Sequence, residues 1–334
     1  MDAINTFLAS ILSGINSIVH SYGWSIVVFT VLIKFILLPL DLKSRKSMRR
    51  MSALQPQITK LQKKYANDKE KLNQKTAELY RTQRINPLSG CLPMLLSFPV
   101  LIAMFGAMRM VANVELAKQV IDLILPPHAQ INEGWLWVKN LWMPDSPFSA
   151  VIVDQASLTQ ITQDIWNKVF AALTPEQVSG LASLQITASN IDSTVIFTAL
   201  QNSPSYAQEM LHWSTMPYVD LFFTKLYIFA NNNGFFILPI LAAVTQFLMT
   251  LTQPQTTTNV SATGTSAAGT GKFMKWFFPI FSLYICSSYN AGFSIYWVMS
   301  NLVAWGQGLV VNKIMDAQEK QKGSLEAVGE ESLK

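Results

Sequence analysis

Five stretches of this chain are apolar for nearly as long as a lipid hydrocarbon core is thick, and nothing else in it restricts the fold so much. A spanning helix needs about 20 apolar residues, fewer where the span is short. The stretches run over about 24–40, 91–111, 235–251, 273–287 and 291–311. Only 13% of the 334 residues are charged, against about 25% in soluble domains. The chain therefore reads as an all-α integral membrane protein with five transmembrane helices.

Ahead of the first span, Ile4, Phe7, Leu8, Ile11, Leu12, Ile15, Ile18 and Val19 recur at helical spacing. Asp2, Asn5, Ser10, Ser13, Asn16 and Ser17 take the opposite face. A signal peptide would open on basic residues, and this segment has none. It reads as an N-terminal amphipathic helix lying in the membrane interface.

Charge sets the orientation. Residues 43–84 hold 13 of the 25 basic residues against three acids, whereas residues 113–233 hold four lysines and ten acids. The positive-inside rule puts the basic loop in the cytoplasm. Alternation then places the N-terminus and residues 113–233 outside, and the C-terminus in the cytoplasm. The expected order is an interfacial helix at 1–21, spans at 22–42, 87–112, 234–252, 272–288 and 291–312, a basic cytoplasmic helical hairpin at 43–86, an outer region at 113–233, a cytoplasmic linker at 253–271 and a frayed tail at 313–334.

The basic loop carries apolar residues at helical spacing, Met51, Leu54, Ile58, Leu61 and Tyr65, then Leu72, Ala77, Leu79 and Tyr80, with Asn67-Asp68 as the turn between. Its charge suits anionic lipid headgroups, at roughly 1 kcal/mol per basic residue near the surface, or a ribosome, RNA or substrate chain. Arg45, Lys46, Arg49, Arg50, Lys60, Lys63 and Lys64 are the candidate partner surface. Asn86-Pro87 reads as the start of the second span. In the outer region, Thr174-Pro175-Glu176-Gln177 has the form of a capping box and Ser203-Pro204 of a helix start, so about 146–232 reads as a small helical insertion. Its apolar residues could form a core of their own or a surface lying on the bilayer. Residues 253–271 lack charge and are rich in Thr, Ser and Gly, a flexible linker.

Lys34 interrupts the first span, roughly 9–10 Å from its cytoplasmic end at 1.5 Å per residue. A charge at a helix centre costs about 2.5–3.5 kcal/mol on insertion scales, unless the side chain snorkels to the interface. Thr30 lies one turn away on the same face. Gln246 adds an amide in the third span, and Trp297 and Asn301 add polar groups in the fifth. Polar groups inside membranes face protein or a wet cavity, so these residues read as a shared hydrophilic site bearing one positive charge. Pro93 and Pro99 predict a kink in the second span, which Met94, Met104, Met108 and Met110 line. Cys91 and Cys286 read as buried thiols, and His20, His128 and His212 have no ligand spacing. No catalytic or nucleotide-binding motif is present, so neither an enzyme nor a cofactor is expected.

The segments INPLSGCLPMLLSFPVLIAMFGAM and AGFSIYWVMSNL, with WSIVVFTVLIKFILLPL, the basic hairpin and FFILPILAAVTQFLMTLTQP, resemble the YidC/Oxa/Alb membrane protein insertase family over about residues 15–145 and 233–315. The resemblance implies five helices around a hydrophilic groove that opens to the cytoplasm and sideways to lipid. It places a basic groove residue, usually arginine, at Lys34, and groove positions at Thr30 and Trp297, with Gln246 a weaker match and Asn301 added from the polarity of its span. A glutamine often found in the second span is Ser97 here. The large N-terminal domain of Gram-negative members is missing, so the form is similar to the Gram-positive type in the bacterial plasma membrane. The insertion at 146–232 lies outside the usual core. The implied partners are nascent membrane proteins, the Sec translocon, the ribosome and anionic lipids, with the chain working as a monomer. A small-solute transporter or channel is the rival reading. It would want paired ionisable groups across the membrane, and the spans offer no acid.

Overall fold

The computed structural model describes residues 2–83, 92–126, 133–204, 206–207, 217–221, 224–229, 231–252 and 268–331, with side chains for all of these except 2, 92–98, 268–274 and 319–331. The Asn86-Pro87 helix start, Cys91, His128, His212 and most of the 253–271 linker lie outside the described residues. Helices dominate: α1 (Asp2–Val19), α2 (Tyr22–Ala53), α3 (Gln55–Lys64), α4 (Lys69–Thr82), α5 (Leu92–Ile124), α6 (Gln155–Leu158), α7 (Gln163–Ala171), α8 (Pro175–Ser183), α9 (Ser193–Gln201), α10 (Ile237–Thr252), α11 (Ala268–Ser288) and α12 (Ala291–Glu331). Two strands, β1 (Tyr218–Leu221) and β2 (Thr224–Tyr227), pair antiparallel between α9 and α10.

The helices overrun their apolar stretches. α2 continues through Pro39 to Ala53, α5 through Pro99 to Ile124, and α12 to Glu331. Apolarity marks where hydrocarbon ends, but helix length follows propensity, and the polar extensions are rich in Ala, Gln, Glu, Lys, Met and Leu. The tail beyond 313 is therefore helical to Glu331 rather than frayed. By length and apolarity, the segments Tyr22–Lys64 and Pro99–Ile124 can cross a membrane, and Ala3–Val19 and Ile237–Thr252 are shorter apolar helices.

Exposure is inverted relative to a soluble protein. On α2, Trp24, Val28, Leu32, Phe35 and Ile36 form an exposed apolar stripe, while Ile26, Phe29 and Thr30 are buried. Trp276, Ile280 and Tyr284 repeat the i, i+4, i+8 pattern on α11. Apolar stripes of this length are what a lipid-facing surface requires.

The chain forms two compact units. Unit 1 comprises Met1–Thr30, Ile102–Ala242 and Ser282–Val298, and unit 2 comprises Val31–Leu101, Ala243–Phe281 and Met299–Lys334.

Unit 1 is organised around a polar neck. Asn233 donates to the carbonyls of Asn140, Met143 and Pro144 and accepts from the Asn140 amide at 2.7 Å. Asp145, fully buried, accepts from the Phe235 and Leu238 amides (2.9 and 2.6 Å) and from Trp137 Nε1 (3.2 Å). It thus caps α10 from some 90 residues upstream, satisfying amides that have no intrahelical partner and adding a negative charge at the positive end of the helix. Gly234 sits so close to Asp145 that a Cβ there would collide with the carboxylate. The amides of Ala291 and Gly292, at the start of α12, donate to Met143 and Leu141. Asn290 Oδ1 caps that helix through the Phe293 amide at 2.8 Å.

Within residues 146–232, Leu158, Trp166, Leu181, Ile196 and Leu200 are all buried. Each such side chain contributes about 1.5–3 kcal/mol when fully buried. Trp166 Nε1 is satisfied by Ser193 Oγ at 3.0 Å. The Thr174–Gln177 capping box opens α8, and Ser203 Oγ caps the short turn that follows it through the Tyr206 amide. The expected all-helical insertion is corrected by β1 and β2. Their four-residue length gives a period of two too few repeats to stand out in sequence.

In unit 2, α3 and α4 form a helical hairpin. Ile58 and Tyr80 pack on Met51 at the end of α2 and on Leu54 just after it, with Leu79 alongside. Asp68 caps α4 through the Lys71 amide at 2.9 Å.

Candidate functional site

The sequence-selected residues divide between the two units. Thr30 and Trp297 belong to unit 1, and Lys34, Gln246 and Asn301 to unit 2.

Thr30 is only 1% exposed. Its hydroxyl donates back to the Ile26 carbonyl at 2.6 Å, as threonines inside helices commonly do. Its polarity is satisfied by its own helix. Trp297 is half-buried, lies tilted against Phe293 with ring centroids 5.5 Å apart and donates to Ser282 Oγ at 3.1 Å, so one turn of α12 is joined to α11.

Lys34 lies one turn beyond Thr30 and two beyond Ile26 on α2, away from the exposed stripe of Val28, Leu32, Phe35 and Ile36. Its backbone carbonyl accepts from Gln307 Nε2 at 3.4 Å, a tie between α2 and α12. Among the described residues its ammonium has no hydrogen-bond or ion-pair partner. Asn301, on α12, is buried and donates to Thr245 Oγ1 of α10 at 3.5 Å. Gln246 is also buried, with no side-chain partner for its amide among the described residues. α2, α10 and α12 thus each supply unit 2 with a polar group. The side chain of Ser97 on α5 lies outside the described residues.

The basic candidates separate into two sets. Lys46, Arg50, Lys60, Lys63 and Lys64 are exposed. Arg45 and Arg49 are turned inward instead. Arg45 is 4% exposed, pairs with Asp41 at 2.7 Å and donates to the Ala304 carbonyl at 3.2 Å. Arg49 donates to the Asn312 carbonyl at 3.4 Å and pairs with Asp316. Both hold α2 against α12. The helices approach closely at Gly308, where a Cβ would stand 2.6 Å from Thr252 Oγ1 and 2.9 Å from Arg45 Nη1. Asn312 completes the junction by donating to the Thr252 carbonyl at 3.0 Å. Sequence reasoning placed Arg45 and Arg49 with the outward lysines because a basic run carries no sign of which members face a helix more than 250 residues away.

A second polar cluster was not expected. In unit 1, Glu115 of α5 is 7% exposed and accepts from Tyr22 Oη at 3.0 Å and Lys118 Nζ at 2.9 Å. Nearby, Glu133 accepts from Trp142 Nε1 and from Gln119 Nε2 (3.2 Å). Burial pushes the Glu133 carboxyl above the ordinary glutamate range, and the Glu115 charge adds to the effect. Among the described residues no three His, Cys, Asp or Glu side chains gather as a metal site would require.

The family model described as "60Kd inner membrane protein" matches residues 14–192 and 193–320. Among curated proteins, the membrane protein insertase YidC of Fusobacterium nucleatum is 52% identical over 106 residues, 32% of this chain and 52% of that one. The one from Clostridium tetani is 38% identical over 142 residues, 42% of this chain and 56% of that one. The one from Chlorobaculum parvum is 26% identical over 322 residues, 96% of this chain and 38% of that one. The matches thus span about half the length of these relatives or less. A family match over nearly the whole chain, on helices that turn apolar stripes outward and a lysine inward, makes this chain a member of the 60Kd inner membrane protein family.

Proposed function

We propose that this chain is a membrane protein insertase of the bacterial inner membrane. Hydrophilic segments of nascent membrane proteins enter a groove beside Lys34, and the apolar segments leave along the helices into lipid. The relatives named above carry the insertase name. The observation that carries the reading is Lys34, an ammonium without a partner among the described residues, on a helix that turns its apolar stripe elsewhere. Charged groups inside a membrane usually pair with one another or face an aqueous path. An unpaired one is positioned to meet a transient anionic partner, and low dielectric strengthens that attraction.

Five spans are proposed within α2, α5, α10, α11 and α12. The N-terminus and α6–α9 stand outside, and α3, α4 and the C-terminal tail stand in the cytoplasm. Gln246 and Asn301 supply further groove polarity, and Thr30, Trp297 and Ser97 are assigned to it from sequence. The exposed Lys46, Arg50, Lys60, Lys63 and Lys64 face anionic lipid, the ribosome or the Sec translocon. The reading involves a monomer and no catalytic chemistry or cofactor.

In proteoliposomes, Lys34→Glu should reduce insertion of a short substrate with an acidic leading segment at least tenfold, while Lys34→Arg retains it. Full activity of Lys34→Glu on that substrate would remove charge attraction from the mechanism. Solute flux through sealed vesicles without insertion would favour a transporter instead.

A further inference from the structure

We propose that α1 and α5 together form a headgroup site for a phospholipid bearing a primary ammonium, such as phosphatidylethanolamine, in the outer leaflet. The inference rests on the proposed topology, which puts α1 in the outer interface.

Three sectors of α1 carry the argument. Asn5, Ala9, Leu12 and Asn16 form the stripe turned to the protein: Ala9 and Leu12 are buried, Asn5 and Asn16 half-buried, and Asn16 Oδ1 accepts from Ser25 Oγ at 3.2 Å. On one flank, Ile4, Phe7 and Ile18 are exposed. On the other, Thr6, Ser10, Ser13 and Ser17 are exposed. A helix partitioned in this way rests its apolar flank on acyl chains and turns its hydroxyl flank to the headgroups.

The hydroxyl flank borders a cavity of about 370 Å³, lined by Thr6, Ala9, Ser10 and Ser13 of α1 and by Met110, Val111, Val114 and Glu115 of α5. That volume falls within the range of small-ligand sites, roughly 300–1,000 Å³. Glu115 brings a buried carboxylate to it, one of whose oxygens takes both Tyr22 and Lys118. The other oxygen has no partner among the described residues. Lys118 is half-exposed. A bare carboxylate would select any cation, but this one stands beside an ammonium that reaches solvent. A zwitterion answers that pair term by term: its ammonium takes the free carboxylate oxygen, its phosphate takes Lys118, and the Ser13 hydroxyl donates to a remaining phosphate oxygen, the Ser10 hydroxyl being engaged by the Thr6 carbonyl at 2.8 Å. An anionic headgroup without an ammonium leaves Glu115 unanswered.

The test uses the full chain in nanodiscs of mixed phosphatidylethanolamine and phosphatidylglycerol, with retained lipid read by native mass spectrometry. The expected result is preferential retention of phosphatidylethanolamine, lowered about tenfold by Glu115→Gln with phosphatidylglycerol unchanged. Ser13→Phe, which fills the cavity and leaves Glu115 and its partners untouched, should lower retention equally and decides the matter if Glu115→Gln fails to fold. Equal retention of the two lipids, or phosphatidylethanolamine held by both variants as by the parent, overturns the site. Ser17→Cys, in a background without Cys91 and Cys286, separates this failure from failure of the topology. Labelling by an impermeant thiol reagent only from the cytoplasmic side overturns the topology. Labelling from outside without lipid preference overturns the headgroup site alone.

Discussion

In the polar neck of unit 1, Asn140, Asp145 and Asn233 are buried, and each turns nearly every polar atom to a donor or acceptor on a strand of chain that would otherwise separate. In unit 2, Lys34 and Gln246 also sit among apolar surroundings, but the Lys34 ammonium and the Gln246 amide have no side-chain partner among the described residues. An unmade hydrogen bond in a buried place costs about 1–3 kcal/mol. Asn140, Asp145 and Asn233 avoid that cost, whereas the Lys34 and Gln246 side chains leave their polar atoms open among the described residues. Polar groups that are fully answered inside the protein hold the fold. Those left open are available to something that comes and goes.

The largest effect should follow from breaking the answered side. Asp145→Ala strips the Phe235 and Leu238 amides and Trp137 Nε1 of their acceptor at once. A loss of about 4 kcal/mol is expected, read by denaturant unfolding in detergent micelles, with the amount of folded protein in membranes falling in step. Asp145→Asn, which keeps one acceptor oxygen but turns its NH2 toward a donor that the other oxygen now accepts from, should recover only part of that loss. An Asp145→Ala protein within about 1 kcal/mol of the parent would show that the neck does not clamp α10.

A sharper contrast lies on a single helix. Arg45 and Lys34 stand three turns apart on α2. Arg45 is paired with Asp41 and with the Ala304 carbonyl, and Lys34 is not paired among the described residues. Arg45→Met should cost about 2 kcal/mol, from the lost α12 contact and stem packing, with the ion pair discounted because Asp41 is 36% exposed. Lys34→Met should leave stability unchanged or raise it by about 1 kcal/mol, since a charge in hydrocarbon is itself unfavourable, while insertion falls. Unfolding and insertion assays on the two variants read the contrast directly. Equal destabilisation by both would erase the distinction between a structural and a functional cation.

Much of the fold was legible because it repeats. Ile58, Leu72, Leu79 and Tyr80 announced α3 and α4 through helical spacing, and Thr174-Pro175-Glu176-Gln177 announced the start of α8 by its local chemistry. Lys34 stood out because a charge in an apolar run has a price that its neighbours do not conceal. What escaped were pairings over long separations. Nothing near Asp145 says that it caps a helix beginning at Ile237, and nothing near Glu115 says that Tyr22 will reach it. β1 and β2 escaped for want of length, and Arg45 was misplaced because its partners belong to α12. Periodicity is a property of one segment, whereas a buried polar contact belongs to two.

The smallest effect concerns Glu133, an intermediate case between the two regions. It is half-buried in unit 1, and desolvation, with the neighbouring Glu115 charge, holds its carboxyl above the ordinary range against the opposing hydrogen bonds from Trp142 and Gln119 and the Lys118 charge. A carboxyl raised on folding binds its proton more tightly in the folded state. Its contribution is therefore fully present below the unfolded glutamate value, about 4.3, and is lost as pH rises through the higher folded value. Glu133→Gln keeps an oxygen for Trp142 and Gln119 and removes the titration. It should flatten the fall in stability over that window and raise stability at neutral pH, by under about 1 kcal/mol given the solvent that reaches the group. Unfolding midpoints measured from pH 4 to pH 8 for parent and variant test this. A parent that grows more stable as pH rises, with the variant following it in parallel, would move Glu133 to the fully answered side of the comparison.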